Sequence, residues 1–293
     1  MVLTTREDPG TSPGVDPLAV APAPVTAKPV RRPRLLPELA LLAVAYSVYA
    51  RIRDVHGEDT SPVAFSRAVA NGGRITRFER ASGLYHELGL QRFALNFTLV
   101  VRVSDVFYAT AHVLVTTSVL VWLFIAHPGR YRRARTALLI MTGGALIVFW
   151  LFPTAPPRMM PNAGFADTLF RVGGLLSSRT PAIEHILDLY AAMPSLHAAW
   201  ATFCTLAVLP SCRRVWSRCL VISYPVIVAL VVVVTGNHYF MDVLAGVVVA
   251  LLAWSVTSPS LIQRLHRLHL RRRPSAALEA GVEAGVEAGA LTS

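Results

Sequence analysis

The chain has 293 residues, of which 54% are hydrophobic and 15% charged, and its net charge of +11 is carried almost wholly by arginine, because Lys28 is the only lysine. A soluble domain is nearer ~25% charged, so the composition excludes an ordinary soluble fold. The arginines cluster between apolar runs rather than on one polar face, which argues against nucleic acid and for a membrane.

In chain order, residues 1–34 are rich in Pro, Thr, Ala and Val without an apolar centre, and are predicted to form a disordered tail. A membrane domain is expected over residues 35–258. A helix needs about 20 mostly apolar residues to cross the hydrocarbon layer. Six candidate spans follow: Leu35–Ala50, Val106–Ala126, Ala134–Phe152, Pro194–Leu209, Val215–Thr235 and Phe240–Thr257. Residues 51–105, between spans one and two, alternate apolar and polar and are predicted to form interfacial helices. Residues 259–293 read as a basic tail followed by a low-complexity repeat. The expected fold class is all-α: a polytopic membrane protein built as a six-transmembrane-helix bundle.

Charge orients the spans. Arginine clusters at 31–34, 130–135, 213–218 and 264–273 all fall on one side of a six-span chain. The positive-inside rule makes that side cytoplasmic. The segment 51–105 dissents with eight arginines, but it is long and also carries six acidic residues. Both termini are then cytoplasmic in an inner (plasma) membrane protein. Arg158, Pro194 and His238 meet on the extracytoplasmic side.

That convergence carries the chemistry. His238 and Asp242 are four residues apart, so on a helix they share a face, and Asp242 can orient the imidazole for attack on phosphorus. The bland alternative is a pair tying two helix ends together. Pro194-Ser195-Leu196-His197 reads as a helix start whose free N–H groups and Ser195 hydroxyl hold an anion, with His197 as proton donor to a leaving oxygen. Alone, it also fits a capped helix with an incidental histidine. Arg158, after two prolines, offers a guanidinium to phosphate or simply snorkels at a boundary. His112, deep in span two, either lines the pocket or makes a hydrogen bond across helices. No Asp/Glu/His cluster has metal-ligand spacing. Cys204, Cys212 and Cys219 suggest neither a disulfide framework nor zinc.

Residues Phe152–Arg158, Gly164–Thr168, Ala191–His197 and Gly236–Asp242 together resemble the type 2 phosphatidic acid phosphatase superfamily, over about residues 80–257. Within it they look like the bacterial branch related to inositol phosphorylceramide synthases and inositolphosphotransferases. The resemblance implies a six-helix bundle and a metal-free phosphohistidine mechanism with no cofactor. It implies His238 as nucleophile, Asp242 as its orienter, His197 as general acid, and Arg158 and Ser195 as phosphate ligands. Asp167 and Tyr190 match family positions that support the site. The implied partners are a lipid phosphate substrate (phosphatidate, a polyprenyl phosphate or diphosphate, or a phosphoinositide head group) and membrane lipid. Oligomeric state is left open.

Two departures from the phosphatase-type pattern stand out. Leu151 occupies a lysine position and Val232 an arginine position. Either Arg171 or Arg179 replaces the lost charge, or the substrate is a less charged phosphodiester, which favours transfer over hydrolysis. A competing class is a transporter or lipid scrambler that keeps the bundle without catalysis. Transport favours internal repeats and several deep polar residues. The sequence shows no repeat and only His112 deep in a span, and His197, His238 and Asp242 are all present.

Overall fold

The computed structural model describes residues 33–57, 61–171, 190–261 and 263. Most of both expected tails, and the loop residues Arg179, Glu184 and His185, lie outside the described residues, as does the side chain of Arg171. The described residues are mainly helical, about 80%. They contain no strand, only an isolated parallel bridge between Thr154 and Ala191.

The helices are α1 (Leu35–Gly57), α2 (Pro62–Ser82), α3 (Glu87–Leu95), α4 (Thr98–Ala126), α5 (Pro128–Leu151), the single turn α6 (Thr168–Arg171), α7 (Leu196–Val208), α8 (Val215–Val234) and α9 (Phe240–Val256). Three of them, α4, α5 and α8, are long and apolar enough to cross a membrane. The apolar stretches Leu35–Val48, Leu196–Ser211 and Phe240–Val256 are shorter.

Local chemistry sets the ends. Ser61 caps α2, its Oγ accepting from the Ala64 N–H at 3.2 Å, with Pro62 preformed at the first helical position. Gly83 closes α2 with φ +73, a conformation that favours glycine. Pro128 opens α5 directly after α4, so Arg130, Arg132, Arg133 and Arg135 form its first turns rather than the expected loop. Helix α4 starts eight residues before the predicted Val106. Its early turns absorb Asp105, whose carboxylate accepts the Thr168 hydroxyl at 2.7 Å, so a charge that reads as a boundary is an interior contact. Helix α7 begins at Leu196 with Ser195 as its cap, so Pro194 precedes the helix instead of opening it.

Helix α7 lies at the centre, packed against α9, α8, α4 and α5. Its buried alanines 198, 199, 201 and 207 allow that close approach. Gly246 of α9 completes it, because a β-carbon there would collide with the Ser195 carbonyl oxygen. At Gly143 and Gly144, by contrast, a β-carbon meets nothing within 4 Å.

Helices α2 and α3 follow one another in the chain, and their buried faces follow helical spacing: Ala68, Gly72, Ile75 and Glu79 on α2, and Glu87, Gln91 and Ala94 on α3. Gly72 has no room for a side chain, since its β-carbon would lie within 2.9 Å of the Met160 sulfur, the Tyr239 hydroxyl and the Ala155 carbonyl. Helix α2 thereby docks on the loop that follows α5.

Candidate active site

Three loops meet where α5, α7 and α9 end or begin, and backbone hydrogen bonds stitch them together. The Thr154 N–H donates to the Tyr190 carbonyl at 2.7 Å, and the Ala192 N–H donates to the Thr154 carbonyl at 3.3 Å. The Arg158 N–H donates to the Gly236 carbonyl at 3.0 Å, and the Ser195 N–H to the Asp242 carbonyl at 2.9 Å. Gly236 sits at φ +69, and a β-carbon there would meet Gln91, Ala166 and Arg158, so only glycine fits this crossing.

His238 is buried at the junction. Its Nδ1 lies 2.8 Å from the Ala192 carbonyl oxygen. A carbonyl only accepts, so Nδ1 carries the proton and Nε2 keeps its lone pair. The expected orienter, Asp242, is 3.6 Å from Nδ1, beyond hydrogen-bond reach but close enough to stabilise positive charge on the ring. The two residues do not share a helix face. His238 precedes α9, while Asp242 sits in its first turn and accepts from the Tyr239 N–H at 2.9 Å. The tautomer is therefore set by a backbone carbonyl, which no side-chain spacing reveals.

His197 faces His238 with ring centroids 5.8 Å apart. It stacks on Tyr108 at 4.3 Å and meets the edge of His112 at 4.3 Å. Its Nε2 is buried with no hydrogen-bond partner among the described residues. His112 Nδ1 is 3.1 Å from the Tyr108 carbonyl, so the same argument protonates that nitrogen. Three histidines on three different elements thus form one continuous row.

Arg158 is almost buried. Its Nε donates to Asn237 Oδ1 at 2.8 Å, and its Nη1 pairs with Asp167 at 3.3 Å. Asp167 is therefore a direct partner of the arginine, and Tyr190 contributes the backbone carbonyl that holds Thr154. Ser195 is fully buried, and its Oγ accepts from the Ala198 N–H at 3.3 Å. With its own N–H bonded to Asp242, Ser195 does not offer the free backbone donor predicted for it. Its hydroxyl hydrogen and the first turn of α7 remain as donors.

Neither departure position carries a cation. Val232 is buried in an apolar cluster with Ala201, Val228 and Val233. Leu151 is exposed, and Arg67 of α2 donates to its carbonyl at 3.1 Å. Sequence reading missed Gln91, Glu79 and Glu87. Gln91 Nε2 donates to the carbonyls of Ala166 and Val234 at 3.0 and 3.1 Å, while its Oε1 accepts from the Ala166 N–H at 2.8 Å. The available signal was the helical spacing of these polar residues with Ala68, Gly72, Ile75 and Ala94.

Residues 73–256, well over half of the chain, match the PAP2 superfamily. The chain belongs to that superfamily. No curated protein and no solved structure gives a significant match. The PAP2 superfamily comprises phosphatases and phosphotransferases, and membership suggests a phosphatase-type activity on lipid phosphates. Apolar helices of spanning length accord with a PAP2 membrane protein. The matched region contains the histidine row, Arg158, Asp167 and Asp242, and the carboxylates Glu79 and Glu87 as well.

Proposed function

We propose that this protein is an integral-membrane, metal-independent lipid phosphatase or phosphotransferase that works through a phosphohistidine at the extracytoplasmic face. The observation that carries this reading is the pairing of His238, whose Nδ1 donates to the Ala192 carbonyl so that Nε2 is the ring nitrogen left for attack, with His197 across 5.8 Å. In it, His238 Nε2 attacks phosphorus, and the phosphorus–oxygen bond to the lipid breaks. The departing oxygen takes a proton from His197. Water or an acceptor alcohol then attacks the phosphohistidine, returns a proton to His197 and frees His238. Asp242 balances the charge that develops on the His238 ring. Arg158, held by Asn237 and Asp167, and the Ser195 hydroxyl bind the phosphoryl oxygens.

Six spans over residues 35–258, with tails at 1–34 and 259–293, fit this chemistry. So do both termini in the cytoplasm of an inner-membrane protein and α2–α3 lying at the outer interface. Transfer in the manner of inositol phosphorylceramide synthases is favoured over hydrolysis of phosphatidate. The positive charge of Arg158 is already partly matched by Asp167, and Leu151 and Val232 bring none. A phosphodiester with one charge needs less neutralisation than a dianionic monoester.

The test uses the purified full-length protein in detergent with a panel of lipid phosphate mono- and diesters, with and without inositol or lipid alcohols. Turnover that survives chelator, stops with vanadate and is lost in His238→Ala is expected. Failure to turn over any of the panel sinks the reading. Phosphatidate hydrolysed far faster than any diester, without acceptor stimulation, makes the protein a plain lipid phosphatase.

A further inference from the structure

Three consecutive backbone N–H groups open α9, and each meets a different carboxylate. Tyr239 donates to Asp242 at 2.9 Å, Phe240 to Glu87 at 3.1 Å and Met241 to Glu79 at 2.8 Å. The carboxylates come from α9, α3 and α2, and all three are fully buried. A helix N-terminus favours negative charge, but it is equivalent to only about half a positive charge. Three full anions there are far more than it balances. Among the described residues, no arginine pairs with any of the three.

The far oxygens decide what the cluster holds. Oε2 of Glu79 and Oε2 of Glu87 are both buried without a hydrogen-bond partner, while their inner oxygens accept from adjacent N–H groups of one helix turn. Two carboxylates that accept from adjacent N–H groups repel each other when both are ionised, and one proton shared between them removes that repulsion. A metal ion is the other way to satisfy such oxygens. The described residues contain no group of three side chains arranged to hold one.

We propose that Glu79 and Glu87 are positioning residues for His238: sharing one proton between their outer oxygens, they clamp with Asp242 the first turn of α9 and so fix the loop that presents the imidazole. His238 is the residue immediately before this clamped turn. Its own N–H donates to the Val232 carbonyl at 3.2 Å, so the loop is held from both sides. The pair also limits the negative charge beside Asp242, leaving that carboxylate as the anion nearest the ring. Burial first, and Glu87 second, push Glu79 up to about 9, in keeping with a retained proton. The titratable groups that face it are Glu87 from α3, and Asp242 and Tyr239 from α9 and its cap. Tyr239, pushed up by burial and then by Asp242, stays protonated and donates to the Ala155 carbonyl at 3.2 Å.

The kinetic half of this proposal rests on the function proposed above; the stability half does not. A glutamine at position 79 keeps the oxygen that accepts from Met241 and supplies a permanent N–H to Glu87. An alanine supplies neither. Because the folded Glu79 holds its proton up to about pH 9, its contribution is complete below its ordinary value of 4.5 and is lost as pH rises toward 9. Thermal unfolding of the full-length protein, followed by tryptophan fluorescence between pH 5 and 9.5, should show wild-type stability falling across that window and a flatter profile in Glu79→Gln. Equal slopes overturn the shared proton. On a lipid phosphate at pH 7, kcat should stay within about threefold of wild type in Glu79→Gln and drop about tenfold or more in Glu79→Ala, with KM little changed. The alkaline decline of kcat should weaken in Glu79→Gln. Wild-type kcat in Glu79→Ala, or equal losses in both variants, overturns the positioning role. If Glu79→Ala does not fold, the pH slopes of wild type and Glu79→Gln still decide. A wild type that turns over no lipid phosphate but shows the slope sinks the functional reading and leaves the carboxyl pair standing.

Discussion

The two ends of the helix bundle hold their charges in opposite ways. Around His238, the carboxylates of Glu79, Glu87 and Asp242 are buried and accept from backbone N–H groups, and the half-buried Asp167 pairs with Arg158. At the opposite end the charges are mainly guanidiniums that rest on rings and carbonyls. Arg133 lies 4.3 Å over the Trp254 ring and donates to the Trp254 carbonyl at 2.9 Å. Arg130 lies 5.7 Å over Trp122 and donates to Ser211 at 2.7 Å. Arg135 grips both oxygens of Glu38, which also accepts from Tyr131, so α1 is tied to α5. An arginine at a membrane boundary keeps its head in water while its stem covers apolar surface. A buried carboxylate has no such escape and must be matched in place. The first arrangement fixes the backbone around His238, and the second anchors helices.

This contrast predicts that lesions at the first end remove activity with modest loss of stability, and lesions at the second do the reverse. The largest effect is expected for His238→Ala, with no measurable turnover but a folded protein by size-exclusion profile. Asp242→Asn should leave a residue of activity, because it removes the negative charge near the His238 ring while the Ala192 carbonyl still holds the tautomer. Turnover in His238→Ala near the wild-type rate would remove the nucleophile from the mechanism.

His197→Ala should cost about 100-fold or more on a natural lipid and clearly less on p-nitrophenyl phosphate, whose leaving group needs little protonation. Equal losses on both substrates would deny His197 the role of acid. A smaller effect is expected from Gly246→Val, which drives a side chain into the Ser195 carbonyl. Overpacking of this kind costs about 1–3 kcal/mol, so both the unfolding temperature and kcat should fall together, because α9 carries Asp242. An unchanged unfolding temperature would mean that α7 and α9 pack less tightly than described.

The mildest effect belongs to the other end. Glu38→Gln should lower the unfolding temperature by ~2–4 °C, roughly the shift for a 1 kcal/mol loss in a chain of this size, and leave kcat/KM within about twofold. A selective loss of activity in that variant would break the division between the ends.

The motifs of the candidate site were legible before any fold was known. His197, His238, Asp242, Arg158, Asp167, Tyr190 and Ser195 stand in short motifs beside long apolar runs, and the fold brings those motifs together. The links between them were not legible. Asp242 spacing pointed to a side-chain orienter on a shared helix face, whereas Nδ1 donates its hydrogen bond to the Ala192 carbonyl. Pro194 pointed to a helix start, whereas Ser195 caps the helix and uses its own N–H on Asp242. A backbone carbonyl carries no residue identity, so no pattern of letters betrays which one a histidine meets.

Hydropathy and arginine placement determined, by themselves, that this chain is helical, apolar and suited to a membrane, because apolar length and charge are additive properties of the sequence. The residue types of the motifs likewise determined which chemistry was available. Only the tertiary structure decided that Glu79 and Glu87, read as ordinary charges of an interfacial segment, turn inward to the first turn of α9. It alone decided that His112 joins His197 in one row. The physical reason is that burial and hydrogen-bond matching are pair properties between distant elements. The cost of a buried carboxylate depends on which N–H groups it finds, and those are brought by α9 from more than 150 residues away.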